Sequence, residues 1–362
     1  MAEKPTGKLR ACGLICEYNP FHYGHAYQIA ELKKQYDAVV CILGGNLTQR
    51  GQVAVADKYA RAEAALRGGA DLVVELPIPW CVSSAEEFAL GGTAIAEGLE
   101  VNALAFSAES DEAVLRAALA NREANAAELS RLTREEHLPY PKAVERVCGI
   151  SLSDHPNDIL GLCYLSHLTH TPAHVIRRDP SYLSSRAIRS SETPEKLLPA
   201  PSVGLLPFRE DGAVYPFLRA AFQNAPEKEV YGMTDELFSA LLAAVQTEET
   251  FDALIGRTVS RQFTASRVRR ALWASVLKIP RALPHEKPKS SLLLAANETG
   301  RRFLSEHRKT RALSVYSRPA ECRDDPAYAL SLRADRVLRV FFGGDDPMEQ
   351  KPFLSPDVRK AP

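Results

Sequence analysis

The sequence predicts an α/β fold, in which a doubly wound parallel sheet is followed by a smaller, mainly α C-terminal domain. Three observations lead to this prediction. Short apolar runs alternate with segments of helical period in the first half of the chain, three prolines interrupt the pattern within residues 192–202, and the strand signal fades beyond them. The chain of 362 residues exceeds one typical domain, so we predict a domain at 1–191, a linker at 192–202 and a second domain at 203–362.

Five apolar runs predict the strands of the sheet, and segments of helical period predict the helices. The strands cover residues 14–16, 38–43, 72–76, 103–107 and 174–178. The helices cover residues 24–36, 54–67, 111–129 and 157–168 before the linker, and 236–245, 265–277, 291–307 and 329–342 after it. Ligands of such sheets bind beyond the carboxyl ends of the strands, so the loops after the first, second and fifth strands are expected to face one crevice.

The composition is that of an ordinary globular protein. Hydrophobic residues make up 45%, charged residues 25%, and the formal net charge is zero, so any contact with RNA has to come from a local basic patch. No uncharged apolar run reaches membrane-spanning length and the first residues are too polar for a secretory signal, which predicts a cytoplasmic protein without a membrane span. The seven cysteines are scattered and odd in number, which argues against a disulfide framework.

The stretch 13–25 carries most of the functional signal. An apolar run stops at an Asn-Pro turn and a helix-like segment begins at Gly24, so His22 and His25 lie where a strand ends and a helix begins. Unpaired N–H groups and the positive end of the helix dipole attract phosphate at such a position. Gly24 lets the backbone approach a ligand, and two imidazoles can donate hydrogen bonds to phosphoryl oxygens as charge develops. A fragment of a metal site and two ordinary loop histidines are the alternative interpretations.

The motif Pro20-Phe21-His22-x-Gly24-His25 resembles the HxGH signature of the nucleotidyltransferase superfamily. The longer string that begins at Glu17-Tyr18-Asn19 narrows the resemblance to the bacterial tRNA(Met) cytidine acetate ligase family. Further motifs match that family in its order along the chain. They are Gly45-Asn46-x-x-Gln49-Arg50-Gly51, Lys58-x-x-Arg61, Asp71-Leu72-Val73-x-Glu75-Leu76-Pro77, Asn157-x-Ile159-Leu160-Gly161 and Ser184-Ser185-x-x-Ile188-Arg189. The resemblance covers most of the chain and is strongest in its first half.

The resemblance implies a Rossmann-like HxGH nucleotidyltransferase fold and an ATP-dependent ligase. Such an enzyme activates acetate as acetyl-adenylate, with ATP as substrate and Mg²⁺ on the phosphates. It then transfers the acetyl group to N4 of the wobble cytidine of elongator tRNA(Met), forming N4-acetylcytidine. No side-chain metal site and no obligate protein partner are expected. Two alternatives stay open, a small-molecule adenylyltransferase and a catalytically silent protein that binds RNA or a nucleotide.

The resemblance also identifies residues for the reaction. His22, His25 and Arg189 are the predicted catalytic residues, and the arginine would neutralise the β- and γ-phosphates as pyrophosphate leaves. Either Ser184 or Ser185 is expected to cap the helix that carries Arg189. The residues expected to bind ATP are Ile15, Cys16, Glu17, Tyr18, Asn19, Pro20, Phe21, His22, Gly24, His25, Ser107, Asn157, Arg177, Arg178, Ser184, Ser185 and Arg189.

Two positions depart from the family pattern. Arg186 stands where the family has threonine, and it either adds a phosphate contact or weakens the local fit. Ser107 stands in place of a glycine after the fourth strand, where the resemblance implies that adenine approaches the backbone. Asn157 has a second interpretation besides nucleotide contact, because it is a suitable N-cap for the predicted helix 157–168.

A third group of residues is predicted to contact acetate or tRNA. Its members are Asn46, Gln49, Arg50, Lys58, Arg61, Arg267, Arg269 and Arg270. Arg50 is expected to hold acetate or a tRNA phosphate, whereas Lys58 and Arg61 belong equally well to a solvated helix face. The last three arginines lie within residues 256–281, a stretch without Asp or Glu, which predicts a helix that binds phosphates. The alternative is an amphipathic helix whose arginines are solvated.

Overall fold

The computed structural model describes residues 7–136, 138, 140–151 and 155–355. In this part of the chain eight strands form one sheet with helices on both faces. The strands are β1 (Ala11–Cys16), β2 (Ala38–Gly44), β3 (Leu72–Leu76), β4 (Ala103–Ala108), β5 (Ala173–Arg177), β6 (Ser290–Ala296), β7 (Ser314–Tyr316) and β8 (Phe353–Leu354). None of the helices among these residues is long and apolar enough to cross a bilayer.

The helices of the described residues include two short ones near the middle of the chain, α8 and α9. In chain order they are α1 (Tyr23–Leu32), α2 (Lys58–Arg67), α3 (Ala85–Gly98), α4 (Glu112–Ala124), α5 (Ala126–Arg134), α6 (Tyr140–Cys148), α7 (Pro156–His167), α8 (Ser185–Arg189), α9 (Ala200–Val203), α10 (Tyr215–Asn224), α11 (Asp235–Thr247), α12 (Phe251–Thr258), α13 (Ala265–Leu277), α14 (Glu298–Glu306) and α15 (Pro326–Phe342). Helices therefore dominate the chain after residue 203, as the sequence predicts.

The strand order is β5-β4-β1-β2-β3-β6-β7, and β8 pairs with β6. Strands β1 to β5 run parallel, β6 is antiparallel to β3, and β7 and β8 run parallel to β6. The five predicted strands correspond to β1 to β5, so the predicted fold class, a doubly wound parallel α/β sheet with a mainly helical C-terminal region, is confirmed.

Burial on both faces explains why the parallel strands appear as unbroken apolar runs. Alternate residues of the central strands belong to two hydrophobic cores, one on each face of the sheet. Val40 and Ile42 of β2 pack in the first core with Leu72, whereas Val39 and Cys41 pack in the second. A single-sided sheet would instead have shown alternation of apolar and polar residues.

The predicted helix 291–307 is wrong. Its first part is the buried strand β6, and only its second part is helical, as α14. Asn297 separates them, because its Oδ1 accepts a hydrogen bond from the backbone N–H of Gly300 at 2.9 Å and so caps α14. A Cβ on Gly300 would lie 2.0 Å from the carbonyl oxygen of Asp71, so α14 packs directly against the beginning of β3. An apolar run joined to a helix through one residue looks like a single helix in sequence.

Three other helix predictions differ from the structure at their ends. The helix predicted from residue 54 begins at Lys58, since the Oδ1 of Asp57 caps it by accepting the backbone N–H of Tyr59 at 2.9 Å. The helix predicted at 111–129 is broken at Asn125 into α4 and α5. Asn157 lies inside the first turn of α7, whose N-cap is His155, so the N-cap interpretation of Asn157 is wrong.

The segment predicted as a linker is folded against the rest of the chain. Pro194–Leu197 forms a 3₁₀ turn, Leu198 and Ser202 are buried, and α9 packs against α2. Strands β6 to β8, which follow this segment, extend the same sheet at β3. The domain boundaries at 191 and 203 stay a prediction, and the two segments share one sheet.

Candidate active site

The loop after β1 leads into a helix that is capped by two histidines. His22 is the N-cap of α1, with extended backbone, and its Nδ1 accepts a hydrogen bond from the backbone N–H of Gly24 at 3.1 Å. The Nδ1 of His25 accepts the backbone N–H of His22 at 3.3 Å. The two side chains form a reciprocal capping box, with imidazoles in the places that Ser or Thr and Glu usually take.

Aromatic residues of the same motif hold the two imidazoles in place. The rings of His22 and His25 are stacked, with centroids 3.6 Å apart and planes inclined by 23°. The His25 ring also lies 4.7 Å from the ring of Tyr18 and 5.8 Å from that of Phe21. Phe21 is fully buried and packs over Gly68, where a Cβ would come within 2.3 Å of the Phe21 ring. The buried rings of Tyr18 and Phe21 therefore fix the position of the histidine pair.

Both imidazoles are neutral near pH 7. Burial lowers the pKa of His22 to about 4, and the positive charge of Arg178 contributes in the same direction. Burial also lowers the pKa of His25 well below its usual value, with His22 as the second cause. Because Nδ1 of each ring accepts a backbone N–H, the remaining ring proton of the neutral form lies on Nε2. The pair thus offers two Nε2–H donors at the start of α1, where the backbone N–H groups of His22 and Gly24 are already bonded to the two Nδ1 atoms and the positive end of the helix dipole favours an anion.

Gly24 provides close packing at this helix start. A Cβ at Gly24 would lie 3.1 Å from the Cε1 of His22 and 3.1 Å from the Cβ of Tyr182. Tyr182 belongs to the loop after β5, so the first and fifth loops meet here. The sequence analysis missed Tyr182, although its position two residues before Ser184, in a loop predicted to face the crevice, was the available signal.

The carboxylate of Glu109 brings two predicted site residues together at the ends of β4 and β5. It accepts hydrogen bonds from the Nδ2 and the backbone N–H of Asn157, at 2.7 Å and 3.1 Å. It also pairs with the guanidinium of Arg178 at 3.2 Å, the same arginine whose charge acts on His22. Glu109 has no role in the sequence analysis, and only its place directly after β4 could have indicated one.

Ser107 and Arg177, two other residues predicted to bind ATP, lie in different surroundings. The Oγ of Ser107 accepts a hydrogen bond from the Nε2 of Gln28 on α1 at 3.2 Å, so Ser107 lies beside the histidine helix. Arg177 is the last residue of β5 and Arg178 directly follows the strand, so the two side chains point to opposite sides. Its side chain is 74% exposed and pairs with Asp111 at 3.3 Å. The structure does not bring Arg177 to the histidine pair.

The helix α8 brings Arg189 to the first loop. Ser184 caps α8, with its Oγ accepting the backbone N–H of Ala187 at 3.2 Å, as predicted. The Nη1 of Arg189 donates to the carbonyl oxygen of Asn19, and the Oδ1 of Asn19 accepts the backbone N–H of Val55 at 2.7 Å. Arg189 makes no other hydrogen bond or ion pair within the described residues, so most of its donors are available to a ligand.

The loop after β2 completes this side of the site. The Oε1 of Glu17 accepts the backbone N–H of Gln49 at 2.5 Å, and the Nε2 of Gln49 donates to the carbonyl of Ser83 at 3.0 Å. Arg50 is exposed, and in the described part of the chain its side chain forms no hydrogen bond or ion pair. Burial raises the pKa of Glu17, against the lowering effects of Gln49, Arg61, Arg50 and Arg189. The three predicted loops therefore meet around Glu17.

The remaining residues predicted to bind ATP lie at the same edge of the sheet. Ile15 and Cys16 are the last residues of β1, both partly buried. Pro20 is buried in the turn before His22, and Ser185 is the first residue of α8. Their roles in binding ATP stay predictions.

Three residues predicted to meet substrates are used inside the protein. Lys58 is 2% exposed and its Nζ pairs with Glu75 at 2.9 Å and Asp335 at 2.8 Å. Arg61 is fully buried and donates to the backbone carbonyls of Ala56, Glu17, Gly44 and Gly45. Asn46 is 3% exposed; its Oδ1 accepts the backbone N–H of Lys58 and its Nδ2 donates to Asp57 and Asp335. The solvated-face alternative is wrong for Lys58 and Arg61, because both side chains are buried and bond to groups around the site, whereas their predicted contact with substrates stays a prediction.

The basic helix α13 is also packed more tightly than predicted. Arg270 donates from Nη1 to the carbonyl of Gln49 at 3.0 Å; it is partly buried, and burial lowers the pKa of its guanidinium. Arg269 is 17% exposed and lies 4.0 Å from Asp211 and 3.9 Å from Asp252. The alternative with solvated arginines is therefore wrong for Arg269 and Arg270, which make contacts within the protein, whereas their predicted contact with tRNA stays a prediction. Arg267 is half-buried and lies over the ring of Phe263 at 5.2 Å.

Known proteins resemble this chain over nearly its full length. Residues 9–351 match the family model described as HIGH Nucleotidyl Transferase. The tRNA(Met) cytidine acetate ligase of Syntrophotalea carbinolica is 31% identical over 85% of this chain and 84% of that protein. The ligase of the same name from Lactobacillus delbrueckii subsp. bulgaricus is 29% identical over 94% of this chain and 98% of that protein.

A solved structure agrees with these matches. The crystal structure of Thermotoga maritima TmcAL bound with α-thio ATP superposes with a TM-score of 0.83, at 24% identity, covering 96% of this chain and 100% of that one. The apo form of the same protein gives a TM-score of 0.84 at 23% identity. At this identity the superposition shows that the fold is shared. Together with the family model and the full-length sequence matches, it shows that this chain belongs to the tRNA(Met) cytidine acetate ligase family of HIGH nucleotidyltransferases.

Proposed function

We propose that this protein is an ATP-dependent ligase that activates acetate as acetyl-adenylate and transfers the acetyl group to N4 of the wobble cytidine of elongator tRNA(Met). The observation that supports this proposal best is the stacked pair of neutral histidines at the start of α1, whose Nε2–H groups can donate to a phosphate at the positive end of the helix dipole. Family membership supports the choice of acetate and tRNA, since the related ligases carry that name.

The first chemical step joins acetate to ATP. A carboxylate oxygen of acetate attacks the α-phosphorus, an O–P bond forms, and the bond from this phosphorus to the bridging oxygen breaks to release pyrophosphate. His22 and His25 would donate to the phosphoryl oxygens on which charge develops. Arg189 would bind the departing pyrophosphate and Arg50 the acetate, because each has free donors near Glu17. Magnesium carried by the triphosphate would neutralise part of its charge.

The second step transfers the acetyl group. The N4 amine of cytidine attacks the carbonyl carbon, a C–N bond forms, the C–O bond to AMP breaks, and the amine loses one proton. Neutral imidazoles suit this sequence because they donate to phosphate without a buried positive charge that would have to be desolvated. The histidine pair also argues against a silent binding protein, since in both rings Nδ1 is bonded and Nε2 has no partner among the residues that the structure describes.

One assay separates this proposal from its alternatives. Labelled acetate, ATP and magnesium are incubated with the protein, with and without bulk tRNA, and acetyl-adenylate and label in tRNA are measured. Formation of acetyl-adenylate and its consumption on adding tRNA are the expected results. Adenylation of nicotinate mononucleotide or phosphopantetheine, with no product from acetate, would favour a small-molecule adenylyltransferase. Binding of tRNA without either product would favour a silent RNA-binding protein.

A further inference from the structure

An aromatic surface lies on the outer side of α1, next to the histidine pair. Tyr23 is 52% exposed and Tyr27 is 38% exposed. The ring of Tyr182 is stacked on that of Tyr27, with centroids 5.3 Å apart and planes inclined by 29°, and the neighbouring Leu183 is 49% exposed. We call Tyr23, Tyr27, Tyr182 and Leu183 the tyrosine surface.

The tyrosine surface is not explained by the packing of α1. Ile29 and Leu32 supply the buried side of this helix, and Gln28 faces Ser107 of β4. Tyr23 and Tyr27 are four residues apart, so they share a different face of the helix, which is turned to solvent. Exposed apolar side chains gathered at one place, beside a site, are typical of a binding surface.

An exposed arginine follows the tyrosine surface in the chain, three residues after Leu183 and within α8. Arg186 is exposed and its side chain forms no hydrogen bond or ion pair with any residue the structure describes. Its charge is among the causes that lower the pKa of Arg189, after burial and others, and both arginines belong to α8. Arg186 is also the residue that departs from the family pattern. Exposed tyrosines together with an unpaired arginine match the chemistry of single-stranded RNA, in which bases stack on aromatic rings and phosphates pair with guanidinium groups.

On the basis of the proposed function, we propose that the tyrosine surface and Arg186 bind the unpaired nucleotides that flank the acetyl-accepting cytidine. Tyr23 directly follows His22 in the chain, so a nucleotide stacked on it lies next to the place where the adenylate forms. Adenine of ATP is the less suitable occupant. It is expected at the end of β4 beside Ser107, and Gln28, which donates to Ser107, lies on a different face of α1 from Tyr27. Tyr23 and Tyr27 are also separated by about 6 Å along the helix, which suits neighbouring bases better than one ring.

The test compares matched variants of the full chain. The double variants Tyr23→Ala/Tyr27→Ala and Tyr23→Phe/Tyr27→Phe are measured beside Val340→Ala, a control at an 80% exposed position on α15. The readouts are the Kd for an elongator tRNA(Met) transcript, the Kd for a fully paired RNA duplex, and acetyl-adenylate formation without tRNA. The alanine pair should raise the tRNA Kd by roughly 5- to 150-fold, the range for losing one stacked base, whereas the phenylalanine pair and the control should stay near wild type.

Duplex binding and acetyl-adenylate formation should be unchanged in all of these variants. Arg186→Ala should lower the slope of log Kd against log salt by about one phosphate contact. Wild-type tRNA affinity in the alanine pair would overturn the inference, and so would a raised KM for ATP with unchanged tRNA affinity, which would assign the surface to adenine. Failure of the wild type to form acetyl-adenylate would instead refute the proposed function, and the tRNA Kd values would still test the tyrosine surface.

Discussion

Replacing His22 by asparagine or by alanine separates its structural role from its proposed catalytic role. The Nδ1 of His22 caps α1 by accepting the N–H of Gly24 at 3.1 Å, and the Oδ1 of asparagine can take over that bond. Neither replacement has an N–H at the position of Nε2. We therefore expect His22→Ala to lose about 1 kcal/mol of unfolding free energy for the cap, in addition to the packing lost with the ring, and His22→Asn to keep the cap.

The two variants should lose activity alike. Removing one transition-state donor lowers the rate roughly 10²- to 10³-fold, or about 3 to 4 kcal/mol, so both should slow acetyl-adenylate formation by that factor. The assay is single-turnover formation of labelled acetyl-adenylate, and urea unfolding measures stability in parallel. His174→Asn is the matched control, since His174 lies on β5 near the amino end of the strand and contacts Tyr36. A His22→Asn rate within threefold of wild type would refute the assignment of Nε2 as a donor.

Three further predictions concern burial. Arg61→Lys should lower the unfolding free energy by about 3 kcal/mol or more, because a lysine cannot satisfy the four buried carbonyls to which Arg61 donates. Urea unfolding measures this loss, and the control Arg67→Lys, at an exposed position, should change the unfolding free energy by less than about 0.5 kcal/mol. Arg270→Ala should lower the unfolding free energy by about 2 kcal/mol and leave the salt dependence of tRNA binding as in wild type. A smaller slope of log Kd for tRNA against log salt in this variant would instead support RNA binding by Arg270. Because the pKa of His22 is about 4 in the folded state and about 6.5 in the unfolded state, the unfolded chain binds more protons between these values, and the unfolding free energy should fall by about 2 kcal/mol from pH 7 to pH 5 through this residue. In His22→Asn the plot of unfolding free energy against pH should be flatter over this range. An ordinary pKa for His22 in an NMR titration would contradict this prediction.

The fold could be predicted where each signal is local. Strands β1 to β5 are buried on both faces, so each appears as a short apolar run with helical segments between them. Strand β6 escaped because only Asn297 separates it from α14, and the serines at its start bond to Asp325 and to the carbonyl of Glu75, which are distant in sequence. The antiparallel extension of the sheet therefore had no local signature.

The candidate site divides in the same way. The histidine pair could be predicted because its cap, its stack and its helix start lie within four residues. The fates of Arg61 and Arg270 depend instead on distant contacts, such as the one between Arg270 and Gln49, 221 residues apart. Composition and charge cannot tell a solvated arginine from a buried one.

The arginines near the site differ in how many of their N–H donors are already used in hydrogen bonds within the protein. Arg61 is fully buried and donates four hydrogen bonds to carbonyls at the ends of β1 and β2 and in the loop after β2, which uses four of its five N–H donors to shape the crevice. Arg189 donates one hydrogen bond, to the carbonyl of Asn19. This bond holds its guanidinium at the histidine loop and leaves its other N–H groups without a partner among the described residues. Arg50 donates none within the described residues. Under the proposed function, the triphosphate would meet Arg189 and the acetate would meet Arg50, so two arginines with available donors at one edge of the sheet would let a protein of zero formal net charge attract anionic substrates there.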